Sequence, residues 1–349
     1  MPEGIIRLGQ RLVGTGQKAL LAAEVGQAHD GSLGLAHSFI DAAASAGADA
    51  VKFQTHIAAA ESTRDEKFRV RFSLEDDTRF DYWRRMEFTP EQWRGLAEHC
   101  AQKEVLFLSS PFSLEAARLL QELGVPAWKV ASGEFDNLPM LEFMASTAKP
   151  VILSSGMSPW SELERQVEFF QGHGCPVILL QCTTAYPTPL DQVGLRVMSE
   201  MARRFKVPVG LSDHSGTPFP ALAAMARGAA LVEVHLTFSK QMFGPDATSS
   251  LEPAELALVA QARDAFFAMD APVDKDGKAD TLAGLRSQFG HSVALVRDLP
   301  AGHRVAREDL ALKKPGGGIP WSQAQELEGR RLAREVKAER LLTWEDLEG

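Results

Sequence analysis

Short apolar runs alternate with longer amphipathic stretches along most of the chain. The runs occupy residues 20–25, 50–55, 105–110, 127–132, 151–155, 177–182, 207–212 and 231–236. Each is continuous and rich in Val, Leu, Ile or Ala, which reads as a strand buried on both faces. Between them apolar positions recur at three- and four-residue intervals, the pattern of a helix with one buried face. Local punctuation agrees. Ser32 is placed to cap a helix over 33–46, which Gly47 ends. Thr89 and Pro90 restart the rhythm as an N-cap and a first-turn proline. Another helix follows Ser113, and a last one covers 253–268. Eight strand–helix units in about 250 residues is the count and size of a (β/α)8 barrel, an α/β fold. The alternative, an open doubly wound sheet, usually carries a Gly-rich phosphate loop after its first strand. Glu24-Val25-Gly26-Gln27-Ala28-His29-Asp30-Gly31 is not such a loop.

Three stretches break the rhythm. Residues 1–18 are short and mixed, a hairpin or an arm. Residues 56–88 form a charged, irregular insertion of the kind that serves as a lid or binding loop. Within it Arg71, Arg84 and Arg85 read as a solvated face, and Trp83, like Trp93 and Trp160, as a packing residue. Residues 271–285 are polar and read as a linker between a barrel over 1–270 and a small second domain over 286–349. That domain shows β-like pieces at 292–296, 304–305, 310–312 and 333–336, separated by the turn signals Pro300-Ala301-Gly302 and Pro315-Gly316-Gly317-Gly318.

Charge changes the picture only by exclusion. With 37 basic and 46 acidic residues the net charge is −9, which argues against nucleic-acid or anionic-membrane partners. An anionic small substrate would need locally placed Lys or Arg. The three cysteines, Cys100, Cys175 and Cys182, form no CxxC and no disulfide framework, which fits a reducing compartment. No apolar run approaches the roughly 18 residues of a membrane span, so a cytoplasmic protein is expected.

Candidate chemistry collects where the active site of a barrel lies, at the C-terminal ends of the strands. Reading those ends gives Glu24, Lys52 with Gln54, Ser109 with Ser110, Lys129 with Ser132 and Glu134, and Ser154 with Ser155. Thr183, Thr184 and Tyr186 follow, then Ser212 with His214, and finally His235. Two lysines and several hydroxyls suit a phosphate or carboxylate, and an inward lysine is costly to bury unpaired. Glu24 and Glu134 suit proton transfer or sugar hydroxyls. His214 and His235 either hold a divalent cation or are ordinary polar residues at strand ends.

At this point the residues carry a family pattern. The chain resembles the sialic acid synthases, which make N-acetylneuraminic, pseudaminic and legionaminic acids. The matching pieces are Ala23-Glu24-Val25-Gly26, Val51-Lys52-Phe53-Gln54-Thr55, Ser109-Ser110-Pro111-Phe112, Trp128-Lys129-Val130-Ala131-Ser132-Gly133-Glu134 and Ser154-Ser155-Gly156-Met157. Cys182-Thr183-Thr184-Ala185-Tyr186-Pro187, Gly210-Leu211-Ser212-Asp213-His214 and Gly244-Pro245-Asp246 continue the match. The last 60 or so residues look like that family's antifreeze-like (SAF) domain. The resemblance implies a transferase of sialic acid biosynthesis. It condenses phosphoenolpyruvate with an N-acetylmannosamine-type aldehyde and water, and releases phosphate. It implies Mn2+ or a similar cation on His214 and His235. Phosphoenolpyruvate contacts fall on Lys52, Ser110, Lys129, Ser132, Ser154 and Ser212. Gln54, Glu134, Tyr186 and Asp246 fall near the reacting carbonyl or the sugar, and Glu24, Glu134, Lys52 and Lys129 carry the catalytic roles. Phe289 and Lys314 match residues that reach the partner's site in a domain-swapped homodimer. The chain departs from the pattern at Lys314, where relatives often have Arg, and at Gln27, Gln181 and Thr184. Three alternatives stand beside this reading: a synthase for a diacetamido-trideoxy hexose, a 3-deoxy-ulosonate synthase, or a non-catalytic carbohydrate-binding homologue.

Overall fold

The computed structural model describes residues 4–68 and 72–348. Arg71, read above as part of a solvated face, lies outside the described residues. The chain divides into two compact units, Met1–Asp270 and Ala271–Gly349.

The first unit opens with a hairpin of β1 (Ile5–Leu8) and β2 (Arg11–Gly14), so the N-terminal stretch is the hairpin of the two forms expected. Eight parallel strands follow: β3 (Leu20–Gly26), β4 (Ala50–Thr55), β5 (Leu106–Pro111), β6 (Trp128–Val130), β7 (Val151–Ser154), β8 (Val177–Cys182), β9 (Val209–Asp213) and β10 (Leu231–His235). Their order is β5-β4-β3-β10-β9-β8-β7-β6. The last strand therefore pairs with the first, while β5 and β6 lie side by side without a ladder, and the sheet rolls into a barrel. Helices from α1 (Leu33–Ser45) to α10 (Pro253–Met269) punctuate the strands. The caps read from the sequence are in place. Ser32 Oγ accepts from Leu35 N, Ser113 Oγ accepts from Ala116 N, and Thr89 forms a reciprocal capping box with Gln92.

Alternation along each strand divides the core in two. One set of side chains, including Leu21, Ala23, Val51, Phe53, Val232 and Val234, packs outward under the helices. The other set faces the barrel axis. At the N-terminal end it is apolar, with Leu20, Ala22, Leu108, Ile152, Ile178, Leu180 and Leu231, and Ile6, Leu8 and Val13 of the hairpin pack against it as a plug. Further along the same inward positions it turns polar. Gly210 on β9 is needed here, because a Cβ would stand 1.9 Å from the Leu231 carbonyl oxygen on β10.

The 56–88 insertion holds two short helices, α2 (Ala58–Glu61) and α3 (Arg79–Met86), with a small core of Ala58, Tyr82, Trp83 and Met86. Arg84 is exposed as expected, but Arg85 is not part of a solvated face. It bridges Asp76 at 2.8 Å and Asp30 at 2.5 Å, tying the insertion to the loop after β3. Asp30 and Asp76 lie far apart in the chain, so sequence spacing does not reveal this pairing.

In the second unit, residues 271–285, expected as a linker, carry Lys275–Thr281 and the start of Ala283–Phe289, both helical. A two-stranded antiparallel sheet of Ser292–Leu295 and Leu310–Lys313 follows, with isolated bridges such as Leu299 to Val336. Its core is formed by Val293, Leu295, Leu327, Leu332, Val336 and Leu342. Asp346 anchors it, accepting from Arg340 at 2.7 Å, Arg334 at 2.6 Å and Thr343 N at 2.9 Å. Among the described residues no helix is long and apolar enough to cross a membrane.

Candidate active site

The polar layer of the barrel is built by inward positions two residues apart: Lys52 and Gln54 on β4, Glu233 and His235 on β10. Glu24 on β3 sits between them, register partner of both Lys52 and His235. The β3 register shifts between Glu24 and Gly26, and Gly26 takes a left-handed φ of 52°. The chain thus turns away while Glu24 stays in the layer.

Four buried charges organise it. Lys52 Nζ donates to Glu24 Oε2 and lies 3.7 Å from Glu233 Oε1. Lys129 Nζ lies 3.3 Å from the same Glu233 oxygen and donates to Ser154 Oγ at 2.8 Å. Ser212 Oγ donates to Glu233 Oε1 at 3.1 Å. Glu233 is thus the hub that compensates two buried lysines, and the sequence reading passed over it. A usable signal existed: if His235 faces inward, so must Glu233, two residues earlier on the same strand.

Burial and neighbours set the protonation states. Burial pushes Glu24 up to about 7, with Lys52 opposing and Glu233 reinforcing. Burial also works to raise Glu233, but Lys129 and Lys52 outweigh it and hold it down at about 2. Lys52 is burdened by burial yet raised on balance by Glu233 and Glu24. Lys129 is lowered by burial despite Glu233. Lys52 and Lys129 both turn to the one carboxylate of Glu233, and Ser154 and Ser212 add hydroxyls, a donor-rich layer suited to an anion. Ser110 Oγ is buried without a hydrogen-bond partner among the described residues, an unused donor in the same layer.

The two histidines meet as the strand ends predicted, with ring centroids 5.1 Å apart. Burial lowers His214 to about 4, aided by His235, and lowers His235 to about 3, aided by Lys52. Both are therefore neutral and able to act as ligands at neutral pH. His214 Nδ1 donates to the Thr183 carbonyl at 3.0 Å, which leaves the Nε2 lone pair toward the Tyr186 hydroxyl at 3.3 Å. His235 Nδ1 is buried without a hydrogen bond, 3.7 Å from Asp246 Oδ2. Two neutral imidazoles, one with an orphaned nitrogen beside a carboxylate, fit a divalent cation. Among the described residues no set of three His, Cys, Asp or Glu side chains is grouped to cage a metal, so a cation would draw further ligands from water or substrate.

Above this layer lies a cavity of about 590 Å³. Gln54, Ser132, Glu134, Tyr186, His235 and Asp246 line it, joined by Thr184 and Met157. The insertion adds Glu61, Glu66, Phe72, Arg79, Tyr82 and Trp83, so Trp83 has a wall role besides packing. Glu134 is raised by burial, and its Oε2 accepts from Asn137 Nδ2 at 3.0 Å. Phe289 and Lys314 belong to the second unit, where the Lys314 ammonium lies 5.7 Å from the Phe289 ring centroid.

Comparison with known proteins adds an independent line. Residues 39–273 match the NeuB family and residues 290–348 match the SAF domain. The chain is 34% identical over 335 residues to an N,N'-diacetyllegionaminic acid synthase of Campylobacter jejuni, covering 93% of this chain and 99% of that protein. It is 32% identical over 322 residues to the human N-acetylneuraminate-9-phosphate synthase, covering 89% and 88%. The crystal structure of an N-acetylneuraminic acid synthetase from Leptospira borgpetersenii superposes with a TM-score of 0.71 at 30% identity, over 81% of this chain and 98% of that one.

Proposed function

The chain belongs to the NeuB family, and from that premise we propose that it condenses phosphoenolpyruvate with an N-acetylmannosamine-type aldehyde and water, yielding a sialic acid and phosphate. The observation that carries this reading is the pairing of a lysine- and hydroxyl-lined layer with a cavity walled by carboxylates and aromatic rings. Lys52, Lys129, Ser154 and Ser212 meet in the first, and Ser110 and Ser132 add hydroxyls that could complete a cradle for phosphate and carboxylate. Among the described residues the second holds Glu61, Glu66, Glu134 and Asp246 against one arginine, Arg79, which Glu66 already engages at 2.9 Å. Such a wall suits an uncharged sugar better than a phosphorylated one.

In this reading C3 of the enol attacks the aldehyde carbon and cationic character develops at C2, where water adds. Glu24, held near neutrality, takes the proton of that water in its ionised form, with Lys52 beside it to stabilise the charge. The tetrahedral intermediate then expels phosphate into the lysine and serine cradle. Gln54, Glu134, Tyr186 and Asp246 orient the sugar. His214 and His235 would hold a divalent cation, Mn2+ in the reading from resemblance, which supplies Lewis acidity at the aldehyde oxygen. Phe289 and Lys314 would complete the sugar site from a partner subunit of a domain-swapped homodimer, and the reaction would run in the cytoplasm.

The test is phosphate release from phosphoenolpyruvate across a panel of N-acetylmannosamine, its 6-phosphate and diacetamido-trideoxy hexoses, with and without Mn2+. Turnover with unphosphorylated N-acetylmannosamine supports the reading. Turnover only with a phosphorylated aldose would refute it.

A further inference from the structure

A buried polar chain starts at His56, which lines the cavity beside Gln27 and Phe112 and has no role in the reading above. His56 is 2% exposed and is clamped between two aromatic rings. Trp83 from the insertion stacks on one face at 3.9 Å and 16°, and Phe112 stacks on the other at 4.4 Å and 15°. The ring plane is therefore fixed, and only its edge can make hydrogen bonds. Nδ1 meets Glu61 Oε1 at 2.7 Å, and Ile57 N donates to Glu61 Oε2 at 3.3 Å. A carboxylate can only accept, so Nδ1 carries the proton. Nε2 lies 3.2 Å from the Gln27 amide nitrogen and 3.3 Å from Gln54 Oε1. The nearer group only donates, which assigns Nε2 the accepting role and Nδ1 the single ring proton.

The rest of the chain agrees with that assignment. Gln27 Nε2 also donates to Gln54 Oε1, and Gln27 Oε1 accepts from the Tyr82 hydroxyl at 3.5 Å. With its oxygen engaged, Gln54 must present its nitrogen to Glu24, and Nε2 donates to Glu24 Oε1 at 2.9 Å. Lys52 donates to the other oxygen of Glu24. In this arrangement, with Glu24 ionised, every donor from His56 to Lys52 has an acceptor. A proton on Nε2 would instead face the Gln27 amide hydrogens and compete with Gln27 for Gln54 Oε1.

We propose that His56 is a positioning residue: Glu61 fixes its Nδ1–H tautomer, and His56 in turn fixes the Gln27 and Gln54 carboxamides and the orientation of Glu24. The insertion supplies Glu61 and Trp83, so it does more than wall the cavity. It sets the hydrogen-bond polarity of the sugar side of the site. The kinetic consequence rests on the proposed synthase reaction, whereas the tautomer does not.

The experiment uses the full-length protein with imidazole-15N histidine, His56 being identified by its loss in His56→Asn. The expected result is a neutral Nδ1–H ring at neutral pH, and a shift toward Nε2–H in Glu61→Gln. That variant keeps the shape of the side chain and leaves the aromatic stack intact, so folding is preserved. In the same variant kcat/KM for the sugar is expected to fall about tenfold or more, with KM for phosphoenolpyruvate within about twofold, because the lysine and serine cradle is untouched. An Nε2–H or doubly protonated ring in the wild type would overturn the proposal. So would wild-type kinetics in Glu61→Gln, or a rise in KM for phosphoenolpyruvate as large as that for the sugar. If the wild-type enzyme turned over no N-acylated hexosamine, the proposed reaction would fall and the tautomer measurement alone would decide the role of His56.

Discussion

Replacing Glu233 with Gln tests the electrostatic heart of the site with almost no change of shape. The carboxylate lies 3.3 Å from Lys129 Nζ and 3.7 Å from Lys52 Nζ, and all three side chains are nearly inaccessible to water. At an effective dielectric constant near 20, those separations correspond to about 4–5 kcal/mol for each ion pair, several times the roughly 1.4 kcal/mol that changes an equilibrium tenfold. Two groups then move in the same direction. Lys129, already lowered by burial, loses its principal counter-charge and gives up its proton at lower pH. Glu24 loses a like-charged neighbour while keeping Lys52, so it ionises at lower pH. In the wild type the rising limb of the pH–rate profile should track Glu24 near 7, because its ionised form is the base, and the falling limb should track loss of lysine charge. Glu233→Gln should therefore shift both limbs to lower pH and raise KM for phosphoenolpyruvate about tenfold or more at pH 8. The assay is initial-rate phosphate release between pH 5 and about 9.5 at saturating sugar. A profile that shrinks in height while both limbs stay in place would show that Glu233 is only structural and would refute the reasoning.

Three further outcomes are expected. His214→Ala should lower metal-dependent phosphate release about 100-fold or more, and chelation should do the same to the wild type but not to the variant; undiminished turnover would remove the metal role. Asp346→Asn should destabilise the second unit by roughly 3 kcal/mol in denaturant melts, since two arginines lose their shared buried acceptor. Burial opposes ionisation of Asp346, but Arg340, Thr343 and Arg334 outweigh it and hold it below the ordinary carboxylate range. Its stabilisation is thus complete above about pH 4 and is lost as pH falls further, a dependence the Asn variant should lack. Gly210→Ala should lower the thermal midpoint of the first unit by several degrees, because the added carbon would stand 1.9 Å from a backbone oxygen on the neighbouring strand.

The sequence alone determined the barrel, because strand and helix periods are local and repeat eight times. It also determined which polar residues end the strands, since that follows from where each apolar run stops. His214 and His235 were legible for that reason, and Lys52 and Lys129 because a lysine inside a buried run is costly unless it is paired. Glu233 sits inside a run in the same way, but its meaning depends on Lys52 from β4 and Lys129 from β6 converging on one oxygen. The same holds for His56 and Arg85. Their partners are Glu61, Gln27 and Trp83 in one case and Asp30 and Asp76 in the other. Pairings of that kind are set by how an irregular insertion folds back over the barrel mouth. Periodicity fixes which face a residue occupies; only closure of the barrel and packing of the insertion fix what that face meets.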